Sequence, residues 1–252
     1  RHKLRCFLPS GTSNDFIFYM GRGDFVMESK VLNAIAAYEA EILDFTKEMV
    51  NIDSGVDCPE GVRQIAELIK EKLLPLGFKV ELLESAGPVQ LLATRPCEGA
   101  KKILLSGHTD TVFFKGEAAK RPFLIEDGIA YGPGVLDMKS GIAVLVYAVK
   151  ALLENGWDKT DLTIFIVGDE ETNHPNTNAV ENFKRVAQGK DACFNFELGR
   201  ANGSVVIGRK GRWAPELHIK GIAAHAGNEP EKGASAITES ITESSFFIRN
   251  SY

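Results

Sequence analysis

Cysteine is scarce in this chain. Only Cys6, Cys58, Cys97 and Cys193 occur in 252 residues, and no two share CxxC spacing. That excludes a disulfide framework and a thiolate zinc site, and it points to free thiols in a reducing compartment. Long apolar runs are missing too, since none approaches the ~20 residues that span a bilayer. Pro9, Gly11, Asn14 and Asp15 interrupt the place where a signal-peptide core would lie. The expectation is a cytoplasmic protein with no membrane segment. Positive charge is not in excess: 29 Lys and Arg face 34 Asp and Glu, a net charge of -5. No basic stripe is present, which argues against a nucleic-acid surface, because phosphate binding needs clustered cations. A nucleotide-binding α/β protein is a weak reading as well. The stretch GPGVLD lacks the helix-opening G-x-G-x-x-G spacing, and no P-loop lysine motif occurs.

What is present is an ordinary globular composition, 44% hydrophobic and 25% charged. Residues 1–26 lack periodicity and read as an unstructured extension ahead of a natural start at Met27. From Val31 to about Asn51 apolar residues recur at helical spacing. A second helix opens at Pro59, a residue favoured in a first turn, and ends near Gly77. Short β-like runs follow at Phe78–Leu83, Val89–Thr94 and Ile103–Ser106. Met138–Leu153 reads as a helix, and Leu162–Val167 as a central strand buried on both faces. A helix near Ala179–Ala187 and a strand near Ala192–Phe196 complete the alternation. This pattern predicts an α/β domain over residues 27–211, with helices on both faces of its sheet. After Arg212 the texture changes. Trp213–Lys220 alternates like a half-exposed strand and Ala234–Phe247 has helix-like stretches, so residues 212–252 read as the start of another domain.

Four clusters carry chemistry. In SGHTDTV, His108 and Asp110 lie two apart and point to one side of extended backbone. One can bind metal while the other holds the imidazole tautomer. A surface histidine beside a solvated aspartate fits the same letters. In YGPGVLDMKSG, Asp137 follows a Gly/Pro turn at the mouth of a helix, where an N-cap is the plain alternative. In VGDEETN, three consecutive acids follow the buried strand. Like charges this close raise one another's pKa unless a cation lies among them, although a solvated acidic turn is the bland reading. In FNFELGR, Glu197 ends another apolar strand. Together these place His and carboxylates at the ends of several strands, where open α/β sheets bind ligands. Nitrogen and oxygen ligands without cysteine suit a hydrolytic zinc, cobalt or manganese centre.

The ordered series HTD, GxGxxDMKSG, DEE, a Glu-bearing strand end and GIAAHAGNEPEKGASAI resembles a family of di-zinc amide hydrolases. Its members are glutamate carboxypeptidases (carboxypeptidase G type), acetylornithine deacetylases, succinyl-diaminopimelate desuccinylases and aminoacylases. The likeness runs from roughly Met27 to Ile237. It implies a zinc-exopeptidase-like mixed sheet with helices on both faces, followed by the beginning of a small α+β dimerisation (lid) domain. It implies two Zn2+ per site, with Co2+ or Mn2+ as substitutes, and hydrolysis of the amide bond of a small peptide or N-acyl amino acid. By resemblance His108 ligates one zinc, Asp110 steadies its ring and Asp137 bridges both metals. Glu170 is the general base, and Glu171 and Glu197 each bind one zinc. His225 reaches across a homodimer to stabilise the oxyanion.

The pattern departs from the family in two places. Relatives carry a further ligating histidine near the C-terminus, and none of His2, His108, His174, His218 and His225 stands there. The chain is therefore read as truncated, with residues 243–252 losing the family texture. Hydrolysis is the ancestral function, the activity of this chain itself is expected to be low or absent, and the competing expectation is an inactive fragment that only binds metal or pairs with a full-length subunit. The segment after DEE also differs: His174 is a candidate substitute ligand, against the plainer reading of a solvent-exposed loop histidine. Arg209, Lys210 and Arg212 either attract an acidic substrate or form a solvated basic turn.

Overall fold

The computed structural model describes residues 22–84, 87–174, 177–199, 202, 204–208 and 216–242, with side chains from residue 28 onward. The chain divides into two compact units, Arg1–Arg200 and Ala201–Tyr252. Arg209, Lys210, Arg212 and the boundary expected at 211/212 lie outside the described residues, as do residues 1–21 and 243–252.

The first unit opens with α1 (Arg22–Ala37) and α2 (Glu39–Val50). Sequence periodicity suggested one helix starting after Met27. The structure has two, and the first begins upstream, because a nucleated helix extends at little cost. The break falls at Tyr38, whose N–H bonds both Ala34 O and Ile35 O at 3.1 Å. The turn there lays the Tyr38 ring against Tyr147, with centroids 5.9 Å apart. Next comes α3 (Pro59–Leu73), with Pro59 in its first turn as expected. A single 3-10 turn, Leu74–Leu76, ends on left-handed Gly77. Then follow β1 (Lys79–Leu83), β2 (Gln90–Arg95), β3 (Lys101–His108) and the one-turn α4 (Glu117–Lys120). A small hairpin of β4 (Leu124–Glu126) and β5 (Ile129–Tyr131) was not anticipated. Its signal was Asp127-Gly128, both at positive φ, the pair favoured in a two-residue hairpin turn. The unit closes with α5 (Ser140–Glu154), β6 (Thr160–Val167), α6 (Ala179–Ala187) and β7 (Ala192–Asn195).

Five strands form one sheet in the order β1-β2-β6-β3-β7. β2 is antiparallel to β1 and β6, while β3 runs parallel to both β6 and β7. The sheet is mixed, as expected. Alternation along β6 separates two cores. Leu162, Ile164 and Ile166 face the larger one with Phe45, Ile65, Ile69, Ile142 and Val146 from α2, α3 and α5. Phe165 and Val167 face the smaller one with Ala179 and Val186 of α6. Helices thus cover both faces, and each fully buried Leu, Ile or Phe contributes about 1.5–3 kcal/mol.

In the second unit Ile222 and Ala234 form an isolated antiparallel bridge, with both N–H···O bonds at 2.9 Å. A 3-10 turn, Pro230–Lys232, lies between them, and residues 236–242 are helical. Residues 216–220, the described part of the strand expected at Trp213–Lys220, form no strand. Alternation alone does not make a strand: the backbone needs a partner to bond, and none pairs with these residues among those described. Among the described residues no helix is long and apolar enough to cross a membrane.

Candidate metal centre

Parallel strands bring their carboxyl ends to one edge of a sheet, and the register here does so for the candidate residues. His108, the last residue of β3, lies level with Val167, the last of β6. The chain leaving β6 therefore carries Glu170 and Glu171 past His108. On the other side Ser106 is level with Asn195. Glu197, two residues beyond Asn195, comes to the height of His108, helped by a bond from Phe196 N to Ser106 O at 3.0 Å. Gly141 allows this approach, since a Cβ there would sit 2.1 Å from Phe196 O.

Asp137 arrives from another direction. It lies in an irregular turn, Val135–Lys139, entered through Gly134 in the left-handed region at φ 71. A Cβ on Gly134 would come within 2.5 Å of Thr111 Cγ2. Asp137 does not cap α5; that helix begins after Lys139, with no side-chain cap bond. Its Oδ1 lies instead 3.2 Å from His108 Nε2.

His108 is the hub, only 1% exposed. Its Nδ1 faces the backbone O of Asp110 at 3.1 Å and Asp110 Oδ1 at 3.3 Å. Both are acceptors, so Nδ1 carries a proton. Its Nε2 faces Asp137 Oδ1 at 3.2 Å and Glu197 Oε1 at 3.3 Å. Asp110 does a second job. Its Oδ1 accepts from Glu170 N at 3.1 Å and its Oδ2 from Glu171 N at 2.9 Å. One buried carboxylate thus orients the imidazole and holds the turn bearing both acids.

Ligand atoms of His108, Asp137 and Glu171 lie within 4.8 Å of one another, and so do those of His108, Glu170 and Glu197. The electrostatics bear on what the cluster can hold. Burial disfavours charge on His108, but hydrogen bonds to Asp110 and Glu197 outweigh it and push its pKa up to about 11. Burial, and then the neighbouring charge of Asp137, raises Glu171 above the usual carboxylate range. The His108 hydrogen bond, against burial, holds Glu197 below it. A neutral ring would turn the Nε2 lone pair toward two carboxylate oxygens. That repulsion is relieved by a proton or by a cation, so the donor set fits a divalent metal.

The structure brings together six of the seven candidates: His108, Asp110, Asp137, Glu170, Glu171 and Glu197. His225 belongs to the second unit. There its Nδ1 accepts from Gly227 N at 3.2 Å and Asn228 N at 3.1 Å. The ring proton is therefore on Nε2, the tautomer of a hydrogen-bond donor. His174 is a correction. It is half-buried, and its Nδ1 donates to Asp169 Oδ1 at 2.8 Å. No ligand group among the described residues includes it. Two supporting residues went unnoticed in the sequence. Asp53 Oδ2 accepts from Gly116 N at 2.7 Å and its Oδ1 from Ala118 N at 2.8 Å. Lys139 is buried beneath the Asp137 turn and donates from Nζ to Ile52 O at 2.9 Å. These contacts span sixty or more positions, and no local motif announces them. A cavity of about 260 Å³ opens beside Asp137 and Glu171, walled by Thr111–Phe113 and Val135–Leu136.

The sequence profile of peptidase family M20/M25/M40 matches residues 104–244. Carboxypeptidase G2 of Pseudomonas sp. (strain RS-16) is 31% identical over 217 residues, covering 84% of this chain and 52% of that protein. Succinyl-diaminopimelate desuccinylase of Dechloromonas aromatica (strain RCB) is 34% identical over 184 residues, covering 69% and 48%. The chain spans about half the length of these relatives. Human carnosine dipeptidase 1 shares the fold at a TM-score of 0.57 and 22% identity, over 66% of this chain and 40% of that one.

Proposed function

The chain belongs to peptidase family M20/M25/M40, and from that premise we propose that it carries the metal-binding half of a hydrolase. Its substrate is the amide bond of a small peptide or N-acyl amino acid. The observation that carries the reading is the convergence of His108, Asp137, Glu170, Glu171 and Glu197 at one sheet edge. The two relatives are named a carboxypeptidase and a desuccinylase, which is consistent with removal of a terminal residue or an acyl group.

Two zinc ions fit the donor set, and when bound they supply Lewis acidity and a water of lowered pKa. His108 Nε2 and Glu197, whose Oε1 is 3.3 Å away, would hold one ion, Glu171 would hold the other, and Asp137 would serve both. Asp110 keeps the His108 proton on Nδ1, so that Nε2 presents its lone pair. Glu170 would remain uncoordinated. A carboxylate oxygen of Glu170 takes a proton from the attacking water and delivers it to the departing amine nitrogen. His225, with its proton on Nε2, is the donor for the oxyanion, and a second copy of the chain brings it to the site.

The test is zinc content per chain after loading and desalting, with Asp137→Ala alongside, followed by assays on N-acyl amino acids and dipeptides. About two zinc ions, lost in the variant, with amide cleavage in the parent, is the expected result. No zinc, or one ion indifferent to Asp137→Ala, sinks the reading and favours the competing one, a polypeptide that at most holds metal or pairs with a longer subunit.

A further inference from the structure

We infer that His174 is a positioning residue: through the carboxylate of Asp169 it fixes the turn that carries Glu170 and Glu171. The inference rests on the roles proposed for those two acids. Their turn, Glu170–Thr172, hangs between two buried carboxylates. On the inner side Asp110 accepts both backbone N–H groups. Immediately before the turn stands Asp169, whose side chain is only 5% exposed. Asp169 Oδ1 accepts from His174 Nδ1 at 2.8 Å, and Oδ2 accepts from Thr177 Oγ1 at 2.6 Å. Its backbone O accepts from His174 N at 3.1 Å and from Thr172 Oγ1 at 3.1 Å. His174 thus grips both the carbonyl and the carboxylate of the residue immediately before the two acids.

The backbone is bent to make this grip. Asn173 at φ 61 and His174 at φ 57 are consecutive left-handed residues, and neither is glycine. That region is sterically disfavoured for any side chain, and such turns persist where surrounding bonds over-determine them. What the bend secures is the imidazole on Asp169. A buried carboxylate that loses a charge-assisted partner is costly, so the chain near Asp169 rearranges when the partner goes. The residue that moves with it is Glu170.

Two variants separate this role from general support of the fold. His174→Gly removes the imidazole while relieving the left-handed backbone. His174→Asn tolerates that backbone and offers an N–H near the place of Nδ1. The readouts are amide exchange at Glu170 and Glu171, followed by NMR on the metal-free chain, and zinc affinity by chelator competition. In His174→Gly the two amides should exchange at least about tenfold faster while those of β6 do not change, and zinc should bind about 10–100-fold more weakly. In His174→Asn both readouts should return to within about threefold of the parent. Unchanged exchange at Glu170 and Glu171 in the glycine variant overturns the inference. A parent chain that binds no zinc overturns the metal reading instead, and the exchange rates still decide whether His174 positions the turn.

Discussion

Three carboxylates of the candidate centre come from two strands built in opposite ways. β6 has eight residues, is paired on both sides and is buried on both faces, and it delivers Glu170 and Glu171. β7 has four residues and lies at the sheet edge, with Phe194 55% exposed, yet it delivers Glu197 to within 3.3 Å of the same imidazole nitrogen. Burial is therefore not what aims a ligand. Register is. The level pairing of Ser106 with Asn195, the Phe196 N–H bond to Ser106 O and the absent Cβ at Gly141 aim Glu197 with hardly any packing. The acids after β6 are aimed by Asp110 and Asp169, and the core beneath them mainly supplies stability.

The largest expected effect tests which acid does chemistry. Glu170→Gln should lower kcat by about 10^2–10^4-fold with zinc content unchanged. Loss of zinc would show that Glu170 is a ligand, a role that its place in the His108–Glu170–Glu197 group allows. The next contrast sets one strand against the other. Ile164→Ala, at a fully buried site of β6, should cost about 2–5 kcal/mol in denaturant unfolding. Phe194→Ala on β7 should stay within about 0.5 kcal/mol, as exposed substitutions do. Equal costs would mean that β7 is packed, and the comparison would fail. A smaller effect is expected from Asp110→Asn, which preserves shape but places an amide N–H against the N–H of Glu170 or Glu171. Zinc affinity measured by chelator competition should fall about 10–100-fold.

Much of this was legible in the sequence, and the reason differs from element to element. Leu162–Val167 could be read as a central strand because both of its faces are apolar, and Ala179–Ala187 as a helix because its apolar positions share one face. The metal candidates were legible because the chemistry restricts residue type at strand ends. The hairpin β4–β5 has a local signal in Asp127-Gly128, both at positive φ. The break at Tyr38 was not readable, since it depends on where α5 places Tyr147. The place of His174 is not legible for a similar reason. A Pro-containing polar loop looks solvated in sequence, and only the folded backbone, turning back at Asn173, brings the ring onto a buried aspartate.

The smallest expected effect carries the comparison to a segment anchored by hydrogen bonds. The loop after β3 is anchored by Asp53, which accepts from Gly116 N and Ala118 N. Burial tends to raise its pKa, but those N–H bonds outweigh it and hold the carboxyl below the usual range. A folded-state pKa below the unfolded one gives stability that is fully present above the ordinary aspartate value, about 3.9. That stability is lost as the pH falls through the lower folded value. Under mild acid the amides of Gly116 and Ala118 should therefore lose exchange protection while those of β6 keep theirs. In Asp53→Asn the two loop amides should be weakly protected at every pH, and their acid sensitivity should vanish. If the β6 amides open at the same pH as the loop, the strand and its anchored segments unfold as one unit. The distinction between parts held by packing and parts held by bonds would then have no energetic meaning in this protein.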